Sequence, residues 1–236
     1  MPDTQTREES RQFVKYTFYK LDPLWRRLPD ADRAAGKNEF AAVVNEFAGD
    51  MVLRSYSCVG MRGDVDFLLW QGADSLEQVQ EVATRLNATA LGKYLTTPHS
   101  YLAMTRRSQY VKEHRHEGQE GTRLKVTPGH ARYFFVYPFV KTHEWYTLPA
   151  EDRQRMMSEH FRMGHKYPSV KINTSYSFGL DDPEFMVAFE SDSPSDFLEL
   201  VMEMRGSEAR KYTERDTPIF TCVYMPIEQA LDTLGG

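Results

Sequence analysis

LPDADR at residues 28–33 returns as LPAEDR at residues 148–153, 120 residues further along the chain. SYS at 55–57 recurs at 175–177 with the same offset, and Thr97-Pro98 recurs as Thr217-Pro218. DVDFLLW at 64–70 is similar to DPEFMVA at 182–188, and Lys93-Tyr94 to Lys211-Tyr212, both 118 residues apart. Each match is short, but order and spacing agree, which is how an internal repeat shows itself. The chain therefore reads as two homologous halves.

Each half has the same pattern. An aromatic-rich strand (11–20; 131–141) leads through Leu-Pro into a charged helix (29–48; 149–166). A hairpin follows, MVLRSYSCVG with DVDFLLWQG in the first half and VKINTSYSFG with EFMVAFES in the second. A second helix (75–91; 194–211) opens on Ser75 or on Ser193-Pro194, residues suited to a helix N-terminus. A last strand (99–106; 218–225) completes the unit. The order βαββαβ is ferredoxin-like. Two such units, their sheets packed or closed into a barrel, predict an α+β protein. The expected division is 1–110 for the first half, 111–130 for a connecting segment and 131–236 for the second half.

Composition narrows the function. The 236 residues are 41% hydrophobic and carry a net charge of −5, which speaks against nucleic-acid binding but leaves room for a local basic site. Cys58 and Cys222 lie in apolar runs and read as buried free thiols of a reducing compartment. The polar start MPDTQTREESRQ and the lack of a long apolar run predict a soluble, cytoplasmic protein with no membrane span. The connection carries His114, His116 and His130, which read as solvent-exposed rather than as a metal site.

Repeats share a fold, so their differences locate function. Tyr137 stands opposite Thr17, Lys141 opposite Leu21 and His160 opposite Phe40. Tyr137 and Lys141 lie four residues apart on a strand and share a face. Pro138 between them lacks a ladder donor and places this run at an edge, a strand end or a bulge. His160 falls on the apolar stripe of Met156, Met157, Phe161 and Gly164, and so points inward, with Gly164 leaving room beside it. On spacing alone it reads as a core histidine; a buried neutral imidazole also suits haem iron. His165 lies off the stripe and is expected to be exposed.

YPFVKTHEWYTLP (137–149), EHFRMGHKYP (159–168), NTSYSFGLDDPEF (173–185) and VMEMRGSEARKY (201–212) resemble the coproheme decarboxylases of the chlorite dismutase-like superfamily. The likeness runs through nearly all of 123–225. It implies a dimeric α+β barrel of two ferredoxin-like halves, commonly a homopentamer, with the haem site in the second half. It implies peroxide-dependent decarboxylation of iron coproporphyrin III, at once substrate and redox cofactor, to haem b at the end of haem biosynthesis. A transient contact with the ferrochelatase that supplies the substrate is implied as well.

The resemblance also assigns residues. His160 matches the proximal iron ligand, and Tyr137 the tyrosine that becomes a radical and takes hydrogen from a propionate. Lys141, Arg123 and Arg205 match propionate contacts, and Glu208 is the expected partner of the His160 ring. Asn173 occupies the cofactor-site position where chlorite dismutases place a distal arginine, which argues against chlorite chemistry. Gln109 stands where some decarboxylases have a distal histidine. The alternatives are another haem enzyme of the superfamily, or a haem-binding or haem-sensing protein without catalysis.

Overall fold

The computed structural model describes residues 11–110 and 124–235. The first half runs β1 (Phe13–Leu21), α1 (Asp30–Ala48), β2 (Val52–Ser57), β3 (Phe67–Ala73), α2 (Leu76–Ala88) and β4 (Leu95–Met104). In the second half β5 (Tyr133–Lys141), the short α3 (His143–Thr147), α4 (Ala150–Gly164), β6 (Lys171–Tyr176), β7 (Phe185–Ser191) and α5 (Pro194–Arg205) come first. β8 (Thr213–Arg215), β9 (Phe220–Tyr224) and α6 (Ile227–Asp232) complete it. The expected helix starts hold: Ser75 accepts from the Gln78 amide and Ser193 from the Asp196 amide.

Strand order is β4-β1-β3-β2 in the first half and β9-β5-β7-β6 in the second, all antiparallel. This is the same ferredoxin-like order twice. β2 pairs with β9 and β4 with β6, so the pairings of eight strands run in a closed cycle, with β8 added on β5. The joins are narrow: Tyr56↔Tyr224 and Ser57↔Val223 at one, Met104↔Tyr176 at the other. Side chains compensate for the short ladders. Phe18 stacks on Phe220 at 3.9 Å and Tyr56 on Phe134 at 4.6 Å, each pair crossing from one half to the other. Cys58 and Cys222 are free, buried and 3.3 Å apart in the same core.

Alternation along each strand separates two environments. On β1, Val14, Tyr16 and Phe18 enter the core shared by both halves, while Tyr19 and Leu21 join the core under α1 and α2. On β5, Phe134 and Val136 enter the shared core, and Phe135 and Tyr137 turn toward the α4–α5 side. α6 packs back onto the first half, where Ile227 and Leu231 complete its core.

Three boundaries differ from the sequence reading. The second helix of the second half stops at Arg205, before Gly206, and a separate 3-10 turn covers Glu208–Tyr212. β4 starts at Leu95, because the pairing Leu21↔Leu95 extends the ladder past Pro98. The last strand of the second half is split into β8 and β9.

Pro138 sits where its lack of an N–H is harmless. β9 pairs with β5 only over Tyr133–Val136, and β8 only at Val140 and Lys141. Among the described residues β5 therefore has no strand neighbour on that side at Pro138. No described helix is long and apolar enough to cross a membrane.

Candidate active site

A cavity of about 650 Å³ is lined by β5, β6 and β7 on one side and by α4 and α5 on the other. Its size lies within the roughly 300–1,000 Å³ of small-molecule sites. Tyr137, Lys141, His160, Asn173 and Arg205 all line it. Sequence positions up to 68 residues apart thus meet at one place. Arg123, His114 and His116 fall outside the described residues, while His130 and His165 are exposed. Among the described residues no cluster of His, Cys, Asp and Glu could hold a metal ion by itself.

His160 is half-buried on the inner stripe of α4. Burial lowers its pKa to about 4, and the nearby Lys141 charge adds to the effect. The imidazole is thus neutral at neutral pH, the form that ligates a metal. Gly164, one turn on, leaves the expected room: a methyl group added there would meet nothing nearer than the Met204 Cε at 3.9 Å. Glu208 does not orient the ring as expected. Its carboxylate accepts from Arg155 at 2.5 and 3.2 Å, and that ion pair holds its pKa down.

Tyr137 packs its ring on Phe189, centroids 5.9 Å apart. Burial raises its pKa to about 12; Asp216 adds to the rise while Arg205 and Arg210 oppose it. The phenol is thus held protonated. Lys141 is 9% exposed, donates to the Ala209 carbonyl at 3.1 Å and lies 4.3 Å from the Trp145 ring centroid. Burial lowers its pKa to about 8, with Arg210 contributing and Glu184 opposing. Glu184 also accepts from the Lys141 amide at 2.7 Å and the Tyr146 hydroxyl at 2.6 Å, fixing α3 to the end of β5.

On the β6 side, the Asn173 amide donates to the Glu190 carboxylate at 2.8 Å. Glu190 is 1% exposed and also accepts from the Gly129 amide at 2.7 Å. A carboxylate acceptor fixes which end of Asn173 it receives, so the amide oxygen is left for the cavity.

The charge of the lining is unlike that of the whole chain. Eight Lys or Arg residues and a single carboxylate, Asp216, are found among its described residues. Asp216 accepts from Arg205 at 2.5 Å and from Arg210 at 2.8 Å. Sequence reasoning missed both Arg210 and Asp216. The repeat could have flagged them, since Gly92 stands 118 residues before Arg210 and Thr96 stands 120 before Asp216.

The sequence model of the chlorite dismutase family matches residues 33–225. The coproheme decarboxylase of Mycolicibacterium smegmatis is 34% identical over 206 residues, spanning 86% of this chain and 87% of that protein. The coproheme decarboxylase of Staphylococcus carnosus is 31% identical over 211 residues, 82% of this chain and 83% of that one. Among solved structures, a haem-binding protein from Thermus thermophilus superposes with a TM-score of 0.80 at 28% identity, covering 95% and 94% of the two chains. A mutant chlorite dismutase from Candidatus Nitrospira defluvii reaches 0.86 at 24% identity over 95% of each chain, a likeness of fold alone.

Proposed function

Because the chain belongs to the chlorite dismutase family, we propose that it is a coproheme decarboxylase. In this reading it converts two propionates of iron coproporphyrin III to vinyl groups with hydrogen peroxide, giving haem b. The observation that carries the reading is the convergence of three features on one cavity. These are a neutral imidazole at His160, a protonated phenol at Tyr137 and a wall of cations in an acidic chain.

The tetracarboxylate substrate fits that wall, since guanidinium and ammonium groups form charge-assisted hydrogen bonds with carboxylates. The charges of Arg205 and Arg210 act on the Tyr137 phenol, so a propionate held by these arginines would lie near its hydroxyl. His160 would hold the iron of the bound porphyrin through its neutral ring, and hydrogen peroxide would supply the oxidising power there. Tyr137 loses one electron and its hydroxyl proton and becomes a neutral phenoxyl radical. It then takes a hydrogen atom from the propionate chain. Loss of a second electron releases carbon dioxide and leaves the vinyl group. For each propionate, one carboxylate, one peroxide and one proton give one vinyl group, one carbon dioxide and two waters. A pKa of about 12 suits this role, because the phenol gives up its proton only as it is oxidised.

Chlorite chemistry is disfavoured by Asn173. Its side chain is neutral and donates to Glu190, so this position itself offers no positive charge to an oxyanion. The test is to titrate the iron coproporphyrin III complex with peroxide and follow the porphyrin by mass spectrometry. Two successive carboxyl losses are expected. Tight binding with bleaching but no carboxyl loss would mean a carrier.

A further inference from the structure

Asp216 is an odd residue for a site that is to bind carboxylates. It accepts from both Arg205 and Arg210, and it is the single carboxylate among the described lining residues. The Asp216 side chain is 15% exposed, and those of Arg205 and Arg210 are 40% and 33% exposed, so a ligand can reach the arginines. Fold stability gives little reason for the arrangement, as partly exposed ion pairs contribute little to it.

The repeat supplies a second observation. β4 is unbroken from Leu95 to Met104, whereas the corresponding strand of the second half is split, with Asp216 at the gap between β8 and β9. Thr96, its counterpart, is an exposed strand residue whose hydroxyl donates to the Lys20 carbonyl. The break and the carboxylate occur only in the half that holds the cavity.

The reaction proposed above makes sense of this, and the inference rests on it. Each turnover replaces a carboxylate by a neutral vinyl group. Two arginines that held the departing carboxylate would favour substrate over product, and would stabilise the ground state rather than the reaction. They would also be left without a partner once carbon dioxide leaves. The geometry points to Asp216 as an exchangeable counter-charge, which yields Arg205 and Arg210 to an incoming propionate and takes them back as the propionate is lost. It thereby evens the affinities for substrate and product. Asp216 itself undergoes no covalent change.

The test is equilibrium titration of the full chain with iron coproporphyrin III and, separately, with haem b, read from the porphyrin absorption band. Asp216→Asn is expected to bind iron coproporphyrin III about tenfold more tightly and haem b a few-fold more weakly. Asp216→Ser carries the same expectation should the asparagine variant fold poorly. Adding Arg210→Gln to Asp216→Asn should cancel the gain for iron coproporphyrin III. Equal weakening for both ligands would show that Asp216 merely holds the arginines in place, and unchanged affinities would show that it does nothing; either overturns the exchange. A wild-type protein that binds no iron coproporphyrin III would instead sink the functional reading beneath it.

Discussion

The two halves of this chain share a strand order but treat the space between sheet and helices in opposite ways. In the first half that space is filled. Phe40 on α1 is fully buried, 6.1 Å from the Tyr19 ring and 5.8 Å from that of Phe67, with Leu21 and Val44 beside it. In the second half His160, Lys141 and Gly164 occupy the positions of Phe40, Leu21 and Val44, and the space is a cavity. The fold does not require the cavity, since the same unit closes over a core 120 residues earlier. What the second half has given up is apolar burial, and α4 shows the loss: only Met156 is buried along it, against Phe40, Ala41 and Val44 of α1.

The sharpest way to test the comparison is at the strand. Tyr137→Phe keeps the ring and its packing but removes the hydroxyl that the proposed reaction oxidises. Turnover should fall about 10³-fold or more with porphyrin binding nearly intact, the pattern of a group used only in the chemical step. Thr17 at the matching place is 8% exposed, so replacing it should alter stability rather than turnover.

Next in size is the contrast between matched helix positions. Phe40→Ala should cost about 3–5 kcal/mol, because it empties a fully packed site. His160→Ala in the ligand-free protein should cost roughly 1 kcal/mol, since the ring already borders open space. Chemical denaturation of both variants would check this, and equal costs would break the comparison. A smaller effect is expected from Gly164→Val, which restores the residue type of Val44. It should leave folding nearly unchanged and weaken porphyrin binding roughly tenfold, by filling the room next to His160.

The smallest effect is on pH dependence. His160 titrates near 4 when folded and near 6.5 when unfolded, so between these values the unfolded chain holds more of its proton. Its contribution to stability is complete above about pH 6.5 and is lost as pH falls toward 4. Lys141 faces the same ring, but its own titration between 8 and 10.5 lies outside that window. Denaturation midpoints of the ligand-free protein across pH 4 to 6.5 should fall less steeply in His160→Ala than in the wild type.

The repeat made much of this legible. Matched tags revealed the two halves and the βαββαβ order of their elements, and departures from the repeat pointed to Tyr137, Lys141 and His160, which do line one cavity. Pro138 signalled an interrupted ladder, and the interruption is there. What escaped were features set by distant parts of the chain. α3 is held by Glu184, 38 residues beyond Tyr146, and α6 by the core of the other half. Asp216 and Arg210 differ from their counterparts in the repeat, but the ion pairs that give Asp216 its meaning form only in the fold. Glu208 misled because Arg155, five residues before His160 on the same helix, pairs with its carboxylate.

The central claim is that a core position of the repeat has become an iron ligand at His160. Resonance Raman spectra of the ferrous iron coproporphyrin III complex test it most directly. The wild type should show an iron–histidine stretching band, His160→Ala should lack it, and added imidazole should restore an iron–imidazole band in the variant. The same band in both proteins, unchanged by imidazole, would mean that another residue holds the iron and that His160 is simply a core histidine.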